Sequence, residues 1–143
     1  MQNIMIINGP NLNMLGKREP EIYGTKTLRE IEKMCHERAS ELDHHVTFFQ
    51  SNFEGQIIDW IHMAFTQSYD GLVINAAAYT HTSVAIHDAL KILHCPVMEV
   101  HLSDPKKRES FRHLSFVEPL ATEVFSGHGA QGYIMALEKL AEL

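Results

Sequence analysis

Ile4, Met5, Ile6 and Ile7 form an unbroken apolar run that stops at Asn8-Gly9-Pro10. A run without alternation suits a strand buried on both faces, and the residues after it have the chemistry of a tight turn. Such strands belong to parallel sheets, whose connections need a crossover, usually a helix. The sequence supplies these crossovers. Thr27-Leu28-Arg29-Glu30 reads as a capping box, and Leu28, Ile31, Met34, Cys35 and Leu42 recur at helical spacing, predicting a helix to about Leu42. Val46 to Gln50 is rich in β-formers. Ser51-Asn52-Phe53-Glu54 reads as a second capping box leading into Ile57, Ile58, Ile61, Ala64 and Phe65.

The alternation continues through Leu72-Val73-Ile74, a helix containing Val84, Ala85, Ala89, Leu90 and Leu93, and a strand over Pro96 to His101. Asp104-Pro105 offers a cap followed by proline in the first turn, which predicts a short basic helix. Phe116-Val117 is the candidate for the last strand. Gln131 to Leu143 is the last helix, with Ile134, Leu137, Leu140 and Ala141 on its inner side. The expected fold class is α/β, a flavodoxin-like three-layer sandwich. Its five-stranded parallel sheet takes the order 2-1-3-4-5 and carries helices on both faces.

At 143 residues the chain suits one domain spanning 1–143, and 45% hydrophobic with 21% charged residues is a globular composition. No stretch approaches the roughly 20 apolar residues of a membrane-spanning helix. Met1 to Asn8 also lacks the basic and apolar regions of a secretory signal, so a cytoplasmic location without membrane partners is expected. Twelve basic against eighteen acidic residues give a net charge of -6, which opposes nucleic-acid binding. Cys35 and Cys95 lie outside any CxxC spacing and read as free, buried thiols. Local positive charge for an anionic ligand is available from Lys17-Arg18 and from Lys106-Lys107-Arg108 with Arg112 and His113.

In open parallel sheets ligands bind beyond the carboxyl ends of the strands, near the switch in strand order. The sequence places Asn8, Asn11 and Asn13 there after the first strand. Asn75, Tyr79 and His81 follow the third, and His101, Leu102 and Ser103 the fourth. Any one asparagine is explained by turn chemistry; three enriched loops are harder to explain that way. Glu99 and His101, two apart on a strand, project from one face, so the carboxylate can orient the imidazole as a general acid or simply make a structural hydrogen bond. Leu102-Ser103-Asp104-Pro105 has the strand-to-helix character that favours a carboxylate, with Arg112 beside it. Gly16 to Gly24 is a charged connection long enough to close over the rim. Within it Tyr23 is a weak acid whose phenolate a guanidinium favours, and Arg18 is the expected partner. His81, His87, His94 and His101 lie on different elements without a metal-ligand pattern, and no glycine-rich phosphate fingerprint or GxSxG elbow is present.

The segment Ile7-Asn8-Gly9-Pro10-Asn11-Leu12-Asn13-Met14-Leu15-Gly16-Lys17-Arg18-Glu19-Pro20-Glu21-Ile22-Tyr23-Gly24 resembles the N-terminal signature of the type II 3-dehydroquinases, or 3-dehydroquinate dehydratases. Gln50-Ser51-Asn52, Asp59-Trp60-Ile61-His62, Tyr79-Thr80-His81-Thr82-Ser83, Glu99-Val100-His101-Leu102-Ser103, Phe111-Arg112-His113 and Gly129-Ala130-Gln131-Gly132-Tyr133 extend the resemblance to the last helix. It implies a carbon–oxygen lyase without metal or cofactor. The reaction would convert 3-dehydroquinate to 3-dehydroshikimate by anti elimination through an enolate, in the shikimate pathway or in quinate catabolism. It further implies Tyr23 as the base, Arg18 as the charge stabilising its phenolate, and Asn13 as the holder of a water on the enolate oxygen. His101, oriented by Glu99, would be the acid. Asn75, His81, Arg112 and the main chain of Leu102 and Ser103 would bind substrate. Asp88 would reach a neighbour's site in a dodecamer, a tetramer of trimers. Ala76-Ala77, His87 and Leu114 depart from residues frequent in that family. The competing readings are a flavodoxin-like module binding a phosphate or flavin, and a metal-dependent hydrolase using the histidines.

Overall fold

The computed structural model describes residues 1–17 and 19–143. Five parallel strands form one sheet: β1 (Gln2–Asn8), β2 (His44–Gln50), β3 (Gly71–Asn75), β4 (Val97–His101) and β5 (Glu123–Ser126). Their order is β2-β1-β3-β4-β5, the flavodoxin-like arrangement. The helices are α1 (Pro20–Tyr23), α2 (Leu28–Glu41), α3 (Glu54–Thr66), α4 (Val84–Leu90) and α5 (Gln131–Glu142).

The unbroken apolar strands are buried on both faces. Ile4, Ile6, Val73, Met98 and Val100 pack under α2 and α5, whereas Met5, Ile7, Leu72, Ile74 and Val97 pack under α3 and α4. α2 begins where its sequence says it should: Thr27 Oγ1 accepts from the Glu30 amide, and the Glu30 carboxylate accepts from the Thr27 amide. Losing such a cap costs about 1 kcal/mol.

Three expectations are corrected. Ser51 does not cap α3; its hydroxyl accepts from the Phe53 amide in a local turn, and Phe53 precedes the helix without a side-chain cap. The basic helix after Asp104 is a single 3₁₀ turn, Pro105–Lys107, although Asp104 does accept from the Lys106 amide as expected. Phe116-Val117 is not a strand. The Phe116 amide donates to the Thr80 carbonyl, and Ser115 Oγ accepts from the Val117 and Glu118 amides, which bends the chain there. The fifth strand is Glu123–Ser126, an edge strand in which only Phe125 is buried, so it carries little apolar signal.

β1 lies between β2 and β3, and the chain therefore leaves it on one side and returns on the other. The loops after β1 and β3 diverge at this switch point and also touch. The Gly9 amide donates to the Asn75 carbonyl at 2.8 Å, and a Cβ on Gly9 would collide with the Ala76 carbonyl. Only glycine admits so close a backbone approach.

Candidate active site

A cavity opens at the carboxyl edge of the sheet, lined by Pro10, Asn11 and Leu12 after β1, Tyr23 from α1, and Asn75, Ala77, Ala78 and His81 after β3. His101, Leu102, Ser103, Pro105, Arg108 and Arg112 close it on the side of β4. Asn11, Asn75, His81, His101, Leu102 and Ser103 from the three enriched loops thus meet at one place, whereas Asn8, Asn13 and Tyr79 do not line it.

Tyr23 is half-buried, and its hydroxyl oxygen accepts from Arg108 Nη2 at 2.8 Å. The same guanidinium lies 5.1 Å from the centre of the tyrosine ring, and its Nη1 donates to Ser103 Oγ at 3.2 Å. A planar cation is thereby fixed against the phenol oxygen by its fork geometry. Arg18, the expected partner of Tyr23, lies outside the described residues. Arg108 reaches the Tyr23 hydroxyl from the β4 side of the cavity. In the sequence it stood within a basic run, with no periodicity linking it to a tyrosine so far away in the chain.

Glu99 and His101 share the face expected from their spacing. Glu99 is 2% exposed, and its Oε2 lies 2.5 Å from His101 Nε2. Ser115 Oγ donates to the same oxygen at 2.9 Å. The other oxygen, Oε1, is buried and has no hydrogen-bond partner among the described residues. A buried carboxylate is costly unless paired, so its compensation comes through Oε2 from His101 and Ser115. Ser115 carried no signal in the sequence.

His81 stands beside this pair, its ring 6.4 Å from that of His101 and nearly parallel to it. Its Nδ1 lies 2.8 Å from the Leu114 carbonyl. Burial pushes its titration below the ordinary value, with the Leu114 carbonyl opposing and the charges of His101 and Arg112 adding to the shift. Arg112 is steered by Glu109, whose Oε1 accepts from Nε at 3.0 Å. The loop bearing Leu102 and Ser103 is pinned by the amides of Gly129 and Gly127, which donate to their two carbonyls.

Asn13 and Asp88 do not line the cavity. Asn13 is exposed, with its Oδ1 accepting from Gln50 Nε2 at 3.4 Å. Asp88 is exposed on α4. Among the described residues, no three His, Cys, Asp or Glu side chains are grouped so that they could hold a metal ion.

A family model described as dehydroquinase class II matches residues 2–141. The chain belongs to the class II dehydroquinases. It is therefore an enzyme, a lyase. Among similar proteins, one from Dinoroseobacter shibae named 3-dehydroquinate dehydratase is 54% identical over 136 residues, covering 95% of this chain and 90% of its own. One from Agrobacterium fabrum, named 3-dehydroquinate dehydratase 1, is 52% identical over 144 residues, covering 100% of this chain and 99% of its own. A crystal structure of type II dehydroquinase from Propionibacterium acnes superposes with a TM-score of 0.96 at 41% identity, covering 100% of this chain and 98% of its own. That from Butyrivibrio crossotus gives 0.95 at 46% identity, covering 97% of each chain. In this dehydroquinase, then, the tyrosine held by a guanidinium and the histidine held by a carboxylate line one cavity. No helix is long and apolar enough to cross a membrane among the described residues.

Proposed function

We propose that this chain dehydrates 3-dehydroquinate to 3-dehydroshikimate, by anti elimination through an enolate and without metal or organic cofactor. The observation that carries this reading is the pairing of two proton-transfer groups on one cavity, Tyr23 with Arg108 and His101 with Glu99. The names of the relatives support the substrate. The phenolate of Tyr23 takes the proton from the carbon next to the ketone, and the electron pair moves into the enolate. As the enolate collapses, the carbon–oxygen bond breaks, and His101 delivers a proton so that water leaves. Arg108, and Arg18 with it, stabilises negative charge on the phenol oxygen. Asn13 holds a water against the enolate oxygen, a role compatible with a side chain outside the cavity wall. Asn75, His81, Arg112 and the main chain of Leu102 and Ser103 take the substrate's hydroxyls and carboxylate.

The assembly follows from the same resemblance: a dodecamer built as a tetramer of trimers, in the cytoplasm, with Asp88 reaching a neighbouring site. Val84 and Asp88 are both exposed and lie one turn apart on α4, a surface available for that contact.

The test is formation of the conjugated enone from 3-dehydroquinate, followed by ultraviolet absorbance. Tyr23→Phe is expected to abolish nearly all turnover while ligand binding and the fold persist, and His101→Ala to slow loss of the hydroxyl. Full activity in Tyr23→Phe removes Tyr23 as the base. Absence of enone from the parent protein removes the reading altogether.

A further inference from the structure

A chain of hydrogen bonds, buried at its centre, runs beneath the cavity from the second strand to the loop after the third. Asn8 is fully buried at the end of β1 and Asn75 is 2% exposed at the end of β3; the two stand directly opposite in the strand register. Both point to the face covered by α5, where Tyr133 is completely buried. Asn8 Nδ2 donates to the Phe49 carbonyl at 2.9 Å, Tyr133 Oη donates to Asn8 Oδ1 at 2.6 Å, and Asn75 Nδ2 donates to Tyr133 Oη at 3.0 Å. At the far end the Ala77 amide donates to Asn75 Oδ1 at 3.2 Å.

The direction of every bond is forced. The Phe49 carbonyl can only accept, so the Asn8 amide nitrogen must face it and Asn8 Oδ1 must face Tyr133. An amide oxygen only accepts, so the single hydroxyl hydrogen of Tyr133 is committed to Asn8. The hydroxyl can therefore meet Asn75 only as an acceptor. The Ala77 N–H can only donate, which turns Asn75 Oδ1 toward it and agrees with the result reached from the other end. Reversing the Asn75 amide would set its nitrogen against a backbone N–H and its oxygen against a hydroxyl whose hydrogen is already used. Burial also pushes the titration of Tyr133 well above its ordinary value, which keeps the hydroxyl hydrogen in place.

We propose that Tyr133 is a positioning residue: it fixes the orientation of the Asn75 amide, so that this cavity residue meets the substrate as an N–H donor and recognises an acceptor oxygen, such as that of a hydroxyl. Asn75 has two amide hydrogens, of which Tyr133 takes one, leaving the second for the ligand. The proposal rests on the reading of Asn75 as a substrate-binding residue.

The experiment is a double-mutant cycle on the parent assembly, with kcat and KM for 3-dehydroquinate as readouts and thermal unfolding measured alongside. Asn75→Ala is expected to raise KM at least tenfold. Tyr133→Phe, which keeps the ring in its slot, is expected to raise KM severalfold with kcat changed by less than about threefold. The Tyr133→Phe/Asn75→Ala variant is expected to match Asn75→Ala alone in KM, because Tyr133 acts through Asn75. Asn8→Ala releases the hydroxyl hydrogen from the opposite end and is expected to raise KM in the same way, so the proposal stays testable if Tyr133→Phe folds poorly. An unchanged KM in Tyr133→Phe while Asn75→Ala is impaired overturns the positioning role and leaves the site reading intact. Additive losses of affinity in the double variant do the same. A normal KM in Asn75→Ala overturns the binding role of Asn75, and the proposal falls with it.

Discussion

Arg108→Met removes the guanidinium from Tyr23 while keeping a side chain of similar reach. If the phenolate is the base, its charge develops beside a cation whose Nη2 is 2.8 Å from the oxygen, with charge centres about 4 Å apart. Unit charges at about 4 Å attract by about 1 kcal/mol in water and about 4 kcal/mol in a partly shielded cleft. The Arg108 side chain is 17% exposed, nearer the shielded case. At about 1.4 kcal/mol per factor of ten, the expected loss in kcat is roughly fivefold to a thousandfold, toward the upper end. Arg108→Lys should fall between parent and Arg108→Met, since it keeps the charge but loses the fork that reaches Tyr23 and Ser103 together. The assay is enone formation at saturating substrate, repeated with deuterium on the carbon that loses its proton. Slower abstraction should enlarge the isotope effect. An Arg108→Met enzyme turning over within about twofold of the parent, with an unchanged isotope effect, refutes the role of this guanidinium.

Three further outcomes rest on burial and backbone conformation elsewhere in the fold. His81 ordinarily titrates at 6.5 and is held lower by burial, so below that pH the unfolded chain binds the extra proton and stability falls as pH drops toward the folded value; His81→Gln should lessen the decline in Tm between about pH 7.5 and about pH 5.5, and an undiminished decline contradicts this. Burial pushes the Cys35 thiol up to about 12 and also raises that of half-buried Cys95. A thiol reagent should therefore label Cys95 slowly and Cys35 only after denaturation, and equal labelling in the folded protein would show the Cys35 site to be open. Ala77 adopts φ 53°, a left-handed conformation costing roughly 1–2 kcal/mol, against about 0.4–1 kcal/mol gained from its stiffer unfolded chain. Ala77→Gly is thus expected to stabilise the protein slightly in urea unfolding, and a marked loss would mean that the Ala77 methyl group has a packing role.

The sheet was legible because its central strands are apolar on both faces, a pattern independent of distant contacts. Glu99 and His101 were legible for a related reason, since two positions along one strand always share a face. The edge strand Glu123–Ser126 has little apolar pattern because an edge needs little burial, and Phe116-Val117 resembles a strand because Val117 is buried without being in one. Ser51-Asn52-Phe53-Glu54 had capping-box spacing, yet the Ser51 hydroxyl found a nearer amide at Phe53. Tyr23 with Arg108, Glu99 with Ser115, and Asn75 with Tyr133 are contacts between elements, and no local pattern encodes which residue comes to rest on which. Arg108 illustrates this most clearly: a basic run usually marks a solvated surface, and only the closing of α1 onto the turn after β4 makes one of its members part of the cavity.

His101 and Arg108 leave the sheet on a single stretch of chain, with only the Pro105–Lys107 turn and its flanks between them. On the proposed roles, the backbone that carries the proton donor thus also carries the cation that readies the acceptor. Prying that turn outward would then disarm both ends of the proposed elimination at once, whereas a compound that merely fills the space would leave each half primed. A wedge aimed at Pro105 is accordingly a different kind of inhibitor from a substrate mimic.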